Sequence, residues 1–256
     1  MNSYVTPTKA RESKKVVMPG YTNFVLAQCQ ATLFTPEAEV SSARLLSRLL
    51  PRWADVFDGE PIVMPLPDGI PKEIPRAILQ SRSGEWRCEC ASGRLNLYWK
   101  QPSPTAPGQS LQAIYRRFIP LLEQYFEFID SRVGRLAGVV NRYSIHESPG
   151  RFLAAHFCKE RWLKAPFNRP ENFELHAHKK FQMAAFEVNS WVRNRTGILA
   201  AEGTGQAIIL VEQDLNTLAE QQDQRAFPMN EIRGFFEAAV HSFDEILALY
   251  YPSHDD

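Results

Sequence analysis

Two stretches constrain this chain more than any other. Residues 110 to 132 and 228 to 251 each carry apolar side chains every third or fourth position, and each follows three consecutive strand-like runs. In SLQAIYRRFIPLLEQYFEFIDSR the apolar side is Ile114, Phe118, Leu121, Leu122, Tyr125, Phe126 and Ile129, with Pro120 inside the helix. In PMNEIRGFFEAAVHSFDEILALYY it is Ile232, Phe235, Phe236, Ala239, Val240, Phe243, Ile246 and Leu247. A helix with one apolar stripe needs a sheet to cover it, so both stretches predict α+β layers.

The runs before each helix supply that sheet. YTNFVLAQCQATLF alternates as a strand does, and PEAEVSSARLLSRLLPRWADVF then reads as a helix broken near Pro51. Residues 58 to 75, with five prolines and two glycines, read as a loop. IPRAILQSRS, EWRCECAS and RLNLYWKQ follow as a three-stranded meander. The second half repeats the order: RLAGVVNRYSIHE as a strand, SPGRFLAAHFCKERWL as a short helix, then NFELHAHKKFQM, AFEVNSWVRNRTGIL and GQAIILVEQDLN as strands. Each half is therefore β-α-β-β-β-α, an internal duplication of about 115 residues per copy. The expected organisation is a basic, solvated tail over 1–18 (Lys9, Arg11, Lys14, Lys15), a first repeat over 19–132 and a second over 133–253. The two would join their sheets, with the long helices on one side.

The other sheet face is left open, and strand parity says what lines it. From the first half come Arg87, Glu89, Arg94, Asn96, Tyr98 and Lys100; from the second, Glu174, His176, His178 and Lys180. Phe186, Val188 and Val192 belong to the core, which sends Glu187, Asn189, Trp191 and Arg193 outward. Arg87, Arg94, Tyr98, Lys100, His176, His178, Trp191 and Arg193 form the candidate binding face. Basic and aromatic residues of this kind serve a protein partner or a nucleic-acid strand. Interspersed Glu89, Glu174 and Glu187 dilute the positive charge.

Chemistry is sparse elsewhere. His176 and His178 share one face of a strand, about 6.5–7 Å apart at the backbone, and with Glu174 are metal candidates only if a third ligand converges, from Glu174 itself or from His146 and Glu147. Cys88 and Cys90 lack the second pair that zinc sites use and read as core filling beside Trp86. Glu202 to Gly205 has no following helix and reads as a hairpin turn, not a phosphate loop. There is no Gly-x-Ser-x-Gly elbow, and Cys158 near His156 has no evident orienting partner. No cofactor is implied.

Lys plus Arg and Asp plus Glu both total 29, so no net field draws the chain to a polyanion or a membrane. The polar start lacks a signal peptide's apolar segment, no run suits a membrane span, and four cysteines fit reduced thiols in the cytoplasm.

LQSRSGEWRCECASGRLNLYWKQP, then YRRFIPLL, then GVVNRYSI with the Arg142-Tyr143 pair, resemble a sporadically distributed family of bacterial proteins of about 250 residues with no established activity. The resemblance covers most of the chain and brings no catalytic residues. Its patchy distribution implies an accessory role, such as a component of a defence or toxin-related system. The β-α-β-β-β-α order also resembles saddle-shaped folds such as those of the TATA-binding protein and bacterial effector-binding domains, a likeness of fold that does not fix function. The expectation is a non-enzymatic cytoplasmic binding protein holding a protein partner, one encoded nearby, on its open sheet face. The alternatives are a nucleic-acid module using the same face and a metal-dependent hydrolase centred on His176 and His178.

Overall fold

The alternating runs of the sequence form a single antiparallel sheet of nine strands, covered by helices on one face. The computed structural model describes residues 19–253 apart from 39, 66–68, 70, 166–169 and 202–203; the expected basic tail over 1–18 lies outside the described residues. In chain order come β1 (Val25–Phe34), α1 (Ser42–Arg48), α2 (Leu50–Trp53), β2 (Ile62–Val63), β3 (Pro75–Gln80), β4 (Trp86–Ala91), β5 (Arg94–Lys100) and α3 (Leu111–Phe128). Then follow β6 (Arg135–Ile145), α4 (Pro149–Phe157), β7 (Glu174–Met183), β8 (Phe186–Ala201), β9 (Thr204–Thr217) and α5 (Met229–Tyr250).

The strand order is β2-β3-β4-β5-β1-β6-β9-β8-β7. β1 and β6 run down the midline, where Cys29 faces Val140 and Ala31 faces Gly138. We call β2 to β5 the first wing and β7 to β9 the second.

The loop expected over 58–75 contains one short regular piece. Ile62 and Val63 pair with Ile78 and Ala77, and Met64 N–H continues the ladder to Arg76 O at 3.0 Å. Prolines beside it at Pro61 and Pro65 confine the strand to two residues, because proline has no N–H to give a ladder. At Pro51 the expected break is real: α1 ends, Leu49 remains helical, and Pro51 sits in the first turn of α2, where its missing N–H costs nothing.

Both long helices form where their stripes predict. Ser110 caps α3, its hydroxyl accepting from Ala113 N–H at 3.2 Å, and Ile114, Phe118, Leu121, Leu122 and Tyr125 are buried. α5 buries Ile232, Phe235, Phe236, Ala239, Phe243 and Leu247. The two pack on each other through Tyr115 and Phe236, 5.7 Å between ring centroids, and on the sheet through Cys29, Ala31, Leu97, Val140 and Leu215. Small residues at the midline make room for them. A Cβ on Gly138 would lie 3.0 Å from the Tyr115 hydroxyl and 3.3 Å from the Phe243 ring, so that hydroxyl can reach Gln30 O at 2.9 Å.

α4 covers the second wing separately. Phe152 and Leu153 meet Val192, Ile209, Val211, Leu247 and Tyr251 in a smaller apolar cluster. Since helix-facing residues alternate with outward ones along every strand, the opposite sheet face carries no helix among the described residues.

Candidate functional site

That helix-free face has three parts, and the eight residues expected to line it all project there. In the second wing, β7 and β8 place His178 opposite Trp191 and His176 opposite Arg193. The His178 ring stacks on Trp191 with centroids 4.3 Å apart and 18° between planes, and its Nε2 meets Asn189 Oδ1 at 3.1 Å. As Oδ1 only accepts, that nitrogen carries the proton. Arg193 lies 5.7 Å from the Trp191 centroid and pairs with Glu212. The network continues inward: Asn216 accepts from Arg135 at 2.8 Å and from Asn189 at 3.4 Å, and donates to Asp214 at 2.9 Å. Burial pushes the Asp214 carboxyl up, opposed by the Asn216 hydrogen bond and by Arg193 and Arg135.

The first wing is built the same way. Arg87 and Tyr98 both bind Glu89, at 2.8 and 3.1 Å, and Thr32 donates to Asn96 at 2.9 Å. Burial, then Glu89, raises the Tyr98 phenol, so it stays protonated and donates. A shallow cleft of about 410 Å³ beside Gln28, Arg87, Tyr98 and Lys100 opens at the end of this network. Arg94 sits opposite Phe34, whose ring is covered by Arg135 at 4.7 Å.

The third part was not anticipated. Where β1, β6, β8 and β9 run toward the Val25 and Ile145 end, the same face turns apolar: Val25 pairs with Tyr143, Tyr143 with Leu210, and Ile145 with Ile208. Ile145 is 60% exposed and Val25 38%. The AIILV run is apolar at every position, so alternation does not say which parity lies on the helix-free face; there Leu210 is half-buried and Ile208 is buried. The signal available was RYSIHE, in which Tyr143 and Ile145 share parity with polar Asn141.

Among the described residues no third ligand converges on His176 and His178. His176 Nε2 is 3.7 Å from Glu174, and His178 is committed to Trp191 and Asn189. His146 projects to the other face, 4.9 Å from the Phe152 ring. Among the described residues no three His, Cys, Asp or Glu side chains are grouped to hold a metal ion. Cys88 and Cys90 are buried with sulfurs 3.5 Å apart, and burial holds the Cys88 thiol protonated and unreactive. His156 stacks between Phe152 and Tyr251 and gives its Nε2 proton to Tyr250 O at 2.7 Å, which ties it to α5 rather than to Cys158. Arg142 and Tyr143 separate: Tyr143 joins the apolar end, while Arg142 is buried under α5 between Gln213 and Asp244.

No family model and no curated protein matches the sequence. Among solved structures, Methanococcus jannaschii TBP is similar over 86% of this chain and 99% of its own, at 8% identity and a TM-score of 0.26, too low for any argument to rest on it.

Proposed function

We propose that the protein is a non-enzymatic binding protein that holds a protein partner on the helix-free sheet face. One observation carries the reading: this face pairs an exposed apolar end with a polar network in which Arg87, Lys180 and Arg193 already meet carboxylates. Protein interfaces combine such an apolar centre with a polar rim. Ile145, Val25, Leu210 and Tyr143 supply the centre, and the networks around Trp191 and Tyr98 supply the rim. Nucleic acid is served less well, because a strand needs unmatched cations and open ring faces. Here Arg87 and Arg193 are paired with Glu89 and Glu212, and His178 already covers Trp191.

The finer features belong to the same reading. The second half keeps the order β-α-β-β-β-α and the first departs from it by a split helix and the extra strand β2; the shared remainder supports an internal duplication that would set β1 beside β6. No described helix is long and apolar enough to cross a membrane, and the free cysteines fit a cytoplasmic setting. The family resemblance supports an accessory role in a bacterial defence or toxin-related system.

The test is affinity capture with the full chain, compared with Ile145→Asp. Wild type should retain one protein at near-stoichiometric yield, and a charge at the exposed apolar centre should remove it. Salt-sensitive nucleic acid in place of a protein, or equal capture by both forms, would overturn the reading.

A further inference from the structure

β8 and β9 run past their neighbours. β7 pairs with β8 only as far as Arg195, opposite Glu174, whereas β8 continues to Ala201, paired with β9 from Gly197–Ile208 to Ala201–Thr204. β6 leaves β9 at Ile208, after which only His146 N–H reaches Ala207 O, at 3.0 Å. Among the described residues, the result is a two-stranded arm whose β8 edge has no paired strand beyond Arg195.

The arm's construction suits neither solvent nor lipid. From Thr196 to Val211 the only charged residue is Glu202. Ile198 is 77% exposed, although it folds across Gly205, where a Cβ would lie 2.5 Å from its Cγ2. Two-stranded ribbons are marginal in water, and a bare edge with apolar side chains is a template for another strand. A bilayer offers that edge no hydrogen-bond partners.

The edge is also self-complementary. Thr196 N–H donates toward β7, to Phe173 O at 3.2 Å, so alternation turns the N–H and C=O of Ile198 and Ala200 to the same side, where no described strand pairs with them. A two-fold axis at Leu199 sets Ile198 against Ala200 of a second copy and closes four backbone hydrogen bonds. The same residues serve both copies, as a two-fold interface requires. Electrostatics does not oppose it, because each chain has a formal net charge of zero. An acidic or basic partner would gain nothing from so uncharged a surface. We propose that the β8–β9 arm pairs edge to edge with the arm of a second copy, making the protein a two-fold dimer.

The experiment is analytical ultracentrifugation of the full chain with two variants that spare the monomer. Ala200→Pro removes an N–H that β9 does not use, and Ile198→Lys puts a charge on a side chain already exposed. Wild type should sediment at twice 29.2 kDa. Both variants should dimerise at least tenfold more weakly, with unchanged circular dichroism and, at dilutions where all three are monomeric, an unchanged thermal midpoint. A monomeric wild type, a different stoichiometry, or variants that dimerise like wild type would overturn the proposal. Neither variant touches Ile145, so its failure and that of the partner-binding face are read separately.

Discussion

The two wings end in different ways. Strands of the first wing are short, with six residues in β3, six in β4 and seven in β5, and the sheet stops at a two-residue β2 between prolines. Strands of the second have ten, sixteen and fourteen residues. Its edge strand β7 is guarded differently, by Glu174, His176, His178, Lys179 and Lys180 along its length. Brevity, proline and charge are all ways to keep a sheet edge from pairing with another chain. Among the described residues the contrast isolates one stretch that uses none of them, the arm beyond Arg195, and so separates edges built to remain single from one built to pair.

The wings also differ beneath the helices. Phe118 belongs to the main core, edge-on to Trp86 at 5.7 Å and to Tyr115 at 5.4 Å, and is fully buried. Phe152 anchors only the small cluster under α4. Phe118→Ala should therefore cost about 3–5 kcal/mol of global stability in urea unfolding. Phe152→Ala should cost about 2–3 kcal/mol, with faster hydrogen exchange confined to α4 and the adjoining ends of β8 and β9. Equal losses, both global, would show that the two wings form one cooperative unit down to α4.

At the junction, Arg142 ties β6 to Gln213 and Asp244. Burial lowers the Arg142 pKa and Asp244 opposes that shift, so the guanidinium depends on its carboxylate partner. Asp244→Ala should cost about 2–3 kcal/mol, less than a fully buried pair, because the Asp244 side chain is 61% exposed. The measurement is the urea midpoint at neutral pH. An unchanged midpoint would show that Gln213 alone satisfies Arg142.

Asp214 gives the second wing a pH dependence. Its folded pKa is raised by burial, so the native state holds a proton that the unfolded chain releases near pH 4. Stability is greatest below that pH as far as this group is concerned, and falls as pH rises through the folded value. Asp214→Asn should remove that fall and leave the protein slightly more stable at pH 7. A variant whose stability follows the wild-type curve across the same window would contradict the buried carboxylate.

Much of this arrangement is written in local patterns. The stripes at Ile114 to Tyr125 and Ile232 to Leu247 set both long helices, and clean alternation in EWRCECAS and NFELHAHKK sets which side chains meet the core. Legibility ends where alternation does. In AIILV both parities are apolar, so neither the place of Ile208 and Leu210 on the helix-free face nor the arm shows in the pattern. Arg87 and Glu89 pair within β4, but the pairing of Arg193 with Glu212 and of Lys180 with Glu220 depends on neighbours 19 and 40 residues away, which no single strand reveals. Three of the cations on this face are thereby matched in the fold.

The smallest expected effect concerns the turns of the two wings. Between β3 and β4 the chain uses Gly84 at φ +75°, a conformation glycine adopts freely. Between β7 and β8, where Met183 pairs with Phe186, the corresponding tight turn places Ala184 at φ +50°. A Cβ in that region crowds the backbone, and the register of two long strands holds the residue there against its preference. Ala184→Gly relieves the strain but frees the unfolded chain, so the net gain should be about 0.5 kcal/mol, a rise in thermal midpoint of about 1–2 °C for a chain of this size. Gly84→Ala should shift the midpoint downward by about as much or more. If Ala184→Gly lowers the midpoint instead, the β7–β8 turn is not strained, and the second wing's long hairpin is held by its turn as well as by its strands.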